Sequence, residues 1–192
     1  MVDNTEQIKT MLSFDDDDFY FIQILKRRKD NPSLEKNSVV VKNFYIDSFE
    51  NYEKLIPQII DICNTENARA YIRLNKRNYK HLGMKMIKRV ADYISSNNYK
   101  SLRNAFDAVV GEFHCDKDKT WVVDVDGYDA SGQSFYELID FIAGLQKNPM
   151  VKTIQTKTGV HLITRPFNKA VFKQNYPHIE IKTDNPTILF CP

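Results

Sequence analysis

Apolar and polar residues follow two periods along this chain, one typical of strands and one typical of helices. Runs rich in β-branched and aromatic residues predict strands at 19–25, 39–46, 70–75, 121–126, 151–155, 160–164, 179–182 and 187–190. Apolar positions three and four residues apart predict helices around 52–63, 80–95, 102–110 and 135–145, with a short one at 168–174. The polar segment before the first strand, which ends in an aspartate run at 15–18, predicts a solvated arm or a short helix.

Local signals refine the ends of these helices. Asp47 or Ser48 is suited to cap the helix at 52–63, and Pro57 should either kink that helix or mark its true start. Ser134 and Glu137 have the spacing of a capping box, and Asn168 is suited to cap the short helix.

The order of these elements predicts an α+β protein. With 192 residues, one domain is the default, and we divide it into an N-terminal αβ subregion, 1–118, and a second subregion, 119–192. The second subregion reads strand, helix, strand, strand, helix, strand, strand. This order predicts a split βαβ sheet of the ferredoxin or RNA-recognition type, to which the first subregion adds another layer.

Composition narrows the class of protein without naming a partner. The formal net charge is only +2, so local basic clusters matter more than the total. The three cysteines include no CxxC pair, which disfavours a disulfide framework or a zinc knuckle, and we disfavour His114 and Cys115 as a ligand pair. No apolar run approaches the roughly 20 residues that span a bilayer, so we expect a soluble, cytoplasmic protein.

The strand at 121–126 carries the first candidate chemistry. Asp124 and Asp126 are two residues apart, so both side chains should lie on one face of the strand. Two close carboxylates repel each other, and a hard divalent cation with oxygen ligands would offset that cost. The alternative is a strand that runs out into a polar turn at 124–129.

Two further features accompany the aspartate pair. One is Lys157-Thr158-Gly159-Val160-His161, a basic turn that leads into a strand; the other is Glu180 in a short strand. Each has an ordinary explanation, as a hairpin turn with a structural histidine and as a solvent-facing acid. The turn has too few glycines to be a Walker phosphate-binding loop.

Taken together and in this order, the three features resemble the archaeo-eukaryotic primase superfamily. Val122-Val123-Asp124-Val125-Asp126 matches its first motif, and the segment from Lys157 through His161 to Pro166 matches its second. Ile179-Glu180 matches the third, where the family usually has Asp, and the strand ending at Pro192 is similar to one that commonly closes the domain. The resemblance covers 119–192.

The resemblance implies two-metal nucleotidyl transfer, the chemistry of a DNA primase or primase-polymerase. Asp124, Asp126 and Glu180 would then be catalytic and would hold Mg²⁺ or Mn²⁺ ions. His161 would contact the incoming triphosphate, and Lys157, Thr158 and Gly159 would complete the nucleotide-binding segment. The implied partners are nucleoside triphosphates, a single-stranded DNA template or primer, and a separately encoded helicase or single-strand-binding protein, as in phage or mobile-element replication.

Basic residues at two strand ends predict where a nucleic-acid strand would bind. One cluster is Lys26, Arg27 and Arg28; the other is Arg73, Lys76 and Arg77. If their strands are adjacent, the clusters should form one basic rim along a phosphate backbone. Alternatively, basic residues end strands simply because strand ends face water.

Two other functions remain open at this point. One is a non-catalytic module that binds single-stranded nucleic acid, and the other is a metal-dependent nuclease that uses the same carboxylates.

Overall fold

The computed structural model of this protein describes residues 1–114, 118–127, 132–184 and 186–192. The described residues form an α+β protein with two antiparallel sheets, which confirms the predicted class. The strands are β1 (Val2–Asp3), β2 (Asp18–Arg27), β3 (Ser38–Ile46), β4 (Arg69–Asn78), β5 (Trp121–Asp126), β6 (Val151–Gln155), β7 (Gly159–Thr164), β8 (Glu180–Lys182) and β9 (Thr187–Cys191).

The α-helices are α1 (Thr5–Lys9), α2 (Phe49–Glu66), α3 (Tyr79–Ser95), α4 (Ala105–Glu112), α5 (Gln133–Gly144) and α6 (Lys169–Asn175), and a 3₁₀ helix, Tyr99–Asn104, precedes α4. None of the helices in the described part of the chain is both long enough and apolar enough to cross a bilayer. The predicted turn at 124–129 and the pair His114 and Cys115 lie partly outside the described residues.

Helix ends follow the sequence signals at Ser48 and Asn168, exclude one of the two alternatives for Pro57, and depart from the signal at Ser134. Ser48 caps α2, because its Oγ accepts a hydrogen bond from the Asn51 N–H at 3.1 Å, and Asn168 caps α6 in the same way. The helix continues through Pro57, so Pro57 does not mark its start. The capping box predicted at Ser134 is wrong: α5 already begins at Gln133, after Gly132, so Ser134 lies inside its first turn.

The two sheets do not correspond to the two halves of the chain. The five-stranded sheet has the order β1-β9-β4-β2-β3, and the four-stranded sheet has the order β6-β7-β5-β8. The sequence assigned β9 to the second subregion, but β9 pairs with β1 and β4 of the first. All five residues of β9 are buried, and such a strand is best accommodated in the interior of a sheet.

Strand alternation gives the four-stranded sheet two apolar faces. One face packs against α5 and α6 through Val123, Val125, Phe135, Leu138, Ile142, Val160, Leu162, Phe167, Phe172 and Ile179. On the other face, Val122, Ile154 and Ile163 join the main core with residues of β2, β4 and α2. The two sheets therefore share one hydrophobic core.

A buried polar cluster reinforces this contact between the sheets. Asp184, in the connection between β8 and β9, accepts hydrogen bonds from Arg77 at 2.8 Å and from Asn75 at 2.9 Å. Arg73 also contacts it. Asn75 accepts a hydrogen bond from the Thr120 N–H at 2.7 Å, immediately before β5. We call Asp184, Arg73, Asn75 and Arg77 the Asp184 cluster; it joins β4 to the start of β5 and to the segment that follows β8.

Asp184→Ala should lower the free energy of unfolding by about 3 kcal/mol, because it removes an ion-pair carboxylate from the buried Arg77 guanidinium. Arg77 is fully buried. Glu53→Ala is the matched control: it breaks the exposed Lys9–Glu53 pair and should cost at most about 1 kcal/mol. Urea unfolding followed by circular dichroism measures both. Equal losses in the two variants would contradict this role of Asp184.

Candidate functional site

Asp124 and Asp126 lie on the face of β5 that is turned towards the five-stranded sheet. Val122 belongs to the same face and is buried in the shared core, and the two carboxylates continue that face beyond the core. Both line a cleft of about 270 Å³ between the two sheets. The alternation of a strand thus brings the two acids into one cavity.

The sheet register places the other predicted acid and the histidine beside Asp124. On β5, Asp124 is directly opposite His161 of β7 on one side and Glu180 of β8 on the other. The Nε2 atom of His161 is 3.5 Å from Asp124 Oδ1, and the Lys182 ammonium contacts Asp124 Oδ2. The hydrogen bond and charge of His161, together with those of Lys182, hold the pKa of Asp124 well below its ordinary value, although burial opposes the shift.

His161 is held from both sides. Its Nδ1 atom lies 2.9 Å from the hydroxyl oxygen of Thr187, the first residue of β9, while Nε2 faces Asp124. The side chain is buried at the base of the cleft. A strand of the five-stranded sheet therefore orients a histidine of the four-stranded sheet, which is the structural role that the sequence left open for His161.

The turn between β6 and β7 sits directly over Asp126. A Cβ atom at Gly159 would collide with the Val125 carbonyl oxygen and lie 2.9 Å from Asp126 Oδ1, so only glycine permits this approach. The Thr158 hydroxyl donates to Asp126 Oδ1 at 3.2 Å, and the Gly159 N–H donates to Thr156 Oγ1 at 3.0 Å. The glycine of the predicted motif is thus explained by backbone packing against β5.

The three predicted carboxylates share one hollow next to the cleft. Asp124, Asp126 and Glu180 line it together with His178 and Ile179. In the described residues, no three His, Cys, Asp or Glu side chains are grouped closely enough to hold a metal ion as they stand. Instead, the Lys182 ammonium contacts Asp124 and lies 3.5 Å from Glu180 Oε2. The oxygen donors suit a hard divalent cation, which would take the place of this ammonium group.

The opposite wall of the cleft is basic and comes from the five-stranded sheet. Arg27, Lys29, Arg69 and Tyr71 line it, and Pro186 and Ile188 complete the apolar part of the lining. Lys157 reaches this wall from the other sheet: its Nζ is 3.1 Å from Asp30 Oδ1.

Asp30 also receives a two-pronged hydrogen bond. The Nε and Nη2 atoms of Arg69 donate to its two carboxylate oxygens, each at 2.7 Å. The hydrogen bond from Arg69 is the largest cause that lowers the pKa of Asp30 to about 2, with a smaller contribution from Lys157. Asp30 therefore remains ionised throughout the neutral range.

The predicted basic rim does not form from the two clusters, although their strands are adjacent. β2 and β4 are antiparallel, with Phe19 opposite Arg77 and Leu25 opposite Arg69. The C-terminal ends of the two strands are therefore at opposite ends of the sheet.

The surroundings of these basic residues differ accordingly. Arg73 and Arg77 belong to the Asp184 cluster, and Lys76 is buried between Asp15 and Asp18 at 3.0 and 2.9 Å. This pairing also means that the aspartate run at 15–18 is not simply solvated.

In the other cluster, Lys26 pairs with Glu66 of α2, Arg28 is exposed, and Arg27 lines the cleft.

Sequence reasoning did not identify Lys182, Arg69 or Asp30 as site residues. Lys182 carries a detectable signal, since it is two residues after Glu180 on a strand and must share its face. Arg69 and Asp30 carry none, because the contacts that bring them to the cleft join distant parts of the chain.

No protein-family model matches this chain, and no similar protein was found among curated proteins or solved structures.

Gly159→Ala should destabilise the protein and displace the β6–β7 turn from Asp126, because the added methyl group collides with the Val125 carbonyl. We expect a loss of about 2 kcal/mol in urea unfolding. Gly83→Ala is the matched control: Gly83 lies within α3 with open space around it, so its substitution should stabilise the helix by up to about 1 kcal/mol. A Gly159→Ala protein as stable as wild type would contradict the close approach.

Asp30→Asn should lower stability at neutral pH, and this difference from wild type should shrink as the pH falls from about 4 to about 2. The reason is that the pKa of Asp30 is lower in the folded protein than in the unfolded chain. Such a carboxylate stabilises the fold at pH values above its pKa in the unfolded chain, and this contribution is lost as the pH falls through its pKa in the folded protein. Unfolding at several pH values measures it, with the exposed Asp61→Asn as control. A difference that persists unchanged to pH 2 would exclude the Asp30 charge as its source.

Proposed function

We propose that this protein is a metal-dependent nucleotidyltransferase of the primase-polymerase type, which extends a nucleic-acid primer or primes on single-stranded DNA. The observation that carries the proposal is the register around Asp124. His161 and Glu180 are its direct neighbours on two strands, and Asp126 follows on the same face. Asp124, Asp126 and His161 line the cleft opposite its basic wall, and Glu180 lines the adjoining hollow with the two aspartates. Phosphoryl transfer needs this combination, because positioning and charge stabilisation supply most of its catalysis.

The order of strands supports the same proposal. In the sheet β6-β7-β5-β8, β7 lies between β5 and β6, and β5 lies between β7 and β8. Every neighbouring pair is antiparallel, so each helix, α5 and α6, connects two non-adjacent strands that run in the same direction. This order supports the proposed split βαβ sheet of the RNA-recognition type, beside which the five-stranded sheet would be the additional layer.

Asp124, Asp126 and Glu180 are the residues that would hold Mg²⁺ or Mn²⁺. When bound, such ions neutralise phosphate charge and favour ionisation of an attacking hydroxyl group.

The chain's own residues then bind and orient the nucleotide. Lys157 and Thr158 present an ammonium and a hydroxyl group at the mouth of the cleft, and Gly159 allows the turn to lie close to Asp126. His161, whose Nδ1 atom is held by Thr187, would donate from Nε2 to a phosphate oxygen in place of Asp124.

A single strand of DNA would bind along the basic wall rather than along the predicted rim. Arg27 and Lys29 line the cleft, and Arg28 between them is exposed. Their charges attract a phosphate backbone without regard to sequence, so binding should weaken as salt is added.

Asp124→Ala together with Asp126→Ala should reduce nucleotide incorporation at least about a hundredfold, because two of three metal-binding carboxylates are lost. The test is extension of a labelled primer-template with Mn²⁺ and separate pools of ribo- and deoxynucleotides. Asp140→Ala, an exposed aspartate of α5, is the matched control and should extend the primer as wild type does.

Other results of this experiment would replace the proposal. Unchanged incorporation by the double variant would sink the mechanism. Metal-dependent shortening of the primer would identify a nuclease using the same carboxylates. Salt-sensitive strand binding without any change in primer length, unaffected by the double substitution, would identify a non-catalytic binding module.

A further inference from the structure

Two cations from different sheets meet at the Asp30 carboxylate on the edge of the cleft. Arg69 belongs to β4 of the five-stranded sheet, and Lys157 belongs to the β6–β7 turn of the four-stranded sheet. Arg69 contacts both oxygens of Asp30 at 2.7 Å, and Lys157 contacts one of them at 3.1 Å. A single acidic group thus neutralises both cations.

The donors around Asp30 have the geometry of an oxyanion site. A guanidinium group that donates two parallel hydrogen bonds to a carboxylate can donate the same pair to a phosphate, and the lysine adds a point charge. Arg69 is almost fully buried, whereas half of the Lys157 side chain is exposed. The group of donors therefore has a buried member, Arg69, and a solvent-accessible member, Lys157.

Arg27 adds another cation to this part of the cleft. It lines the same wall as Arg69, and its Nε atom is buried without a hydrogen-bond partner in the described structure. A buried N–H group without an acceptor is costly, and an anion in the cleft would supply one.

Asp30 is placed so that its side chain can leave without moving the backbone. The residue follows β2, and its carbonyl accepts a hydrogen bond from the Asn67 side chain at 3.0 Å. Asn31 is tied to the Asn67 carbonyl at the same distance. With the chain held at these two residues, displacement of the Asp30 carboxylate by an anion would require a rotation of its side chain.

We infer that Arg69, Arg27 and Lys157 form a phosphate-binding subsite, and that the Asp30 carboxylate fills it until a phosphate group displaces it. The inference rests on the proposed function, which it deepens by giving the phosphates of a nucleotide or of a nucleic-acid strand a defined position. Asp30 acts as an internal competitor, so the cleft favours ligands with enough negative charge to replace it.

Asp30→Asn should bind inorganic tripolyphosphate about tenfold more tightly than wild type, because the amide keeps the shape of the side chain without its competing charge. Isothermal titration calorimetry without metal ions measures this affinity. Asp61→Asn makes the same change in net charge on the exposed face of α2 and should leave the affinity unchanged.

Lys157→Gln should weaken tripolyphosphate binding about tenfold, and this partly exposed position keeps the test valid if Asp30→Asn fails to fold. Lys88→Gln is its matched control, since Lys88 is exposed on α3 and does not line the cleft. Circular dichroism verifies the fold of each variant before titration.

A parallel titration with a short single-stranded oligothymidylate identifies the source of the phosphate. Tighter binding of tripolyphosphate by Asp30→Asn assigns the subsite to a nucleotide's phosphate tail. Tighter binding of the oligonucleotide alone assigns it to a nucleic-acid backbone.

The inference is overturned if folded Asp30→Asn binds neither ligand more tightly, or if Lys157→Gln binds both as wild type does. Because these titrations contain no metal and no primer-template, they are independent of nucleotide incorporation. If the titrations give the expected affinities but the protein does not extend a primer, the phosphate-binding subsite is supported and the proposed function is contradicted.

Discussion

The ion pair between Asp184 and the buried Arg77 is the interaction on which the candidate site most depends. Asp184 lies between the last strand of one sheet and β9 of the other, and Arg77 fixes it from within the five-stranded sheet. Asn75 extends the connection to Thr120, where β5 begins. Because a buried guanidinium group tolerates no loss of its partner, the cluster fixes how β5, β8 and β9 sit against β4. Each of these elements contributes residues to the lining of the cleft.

This arrangement explains why the site uses both halves of the chain. β9 contributes Thr187 to orient His161, while β7 and β8 contribute the neighbours of Asp124. Arg69 and Arg27 stand opposite them on β4 and β2. On the carboxylate-bearing sheet Lys182 pairs with Asp124, and the five-stranded sheet adds Arg27 and Arg69 across the cleft.

The sequence predicts those features that are encoded within a few residues. Alternation along one strand is enough to place Asp124 and Asp126 on one face, and the strands and most helices follow from similar local patterns. The pairing of strands is not local. The direction of β4 relative to β2 separates the two basic clusters, and the position of β9 between β1 and β4 brings Thr187 to His161. Neither feature is encoded in a short segment of sequence. The prediction of a single basic rim was therefore wrong, because the antiparallel pairing of β2 and β4 separates the two basic clusters.

Internal ion pairs occupy both parts of the cleft. Lys182 stands among the carboxylates, and Asp30 stands among the cations. Each half of the site is therefore paired with a charge of the chain itself, which stabilises the fold while no ligand is present. A cation alone must compete with Lys182, and an anion alone must compete with Asp30. In the proposed function, a polyphosphate with its divalent ion would bring both charges, so that its ion would replace Lys182 and its phosphate would replace Asp30.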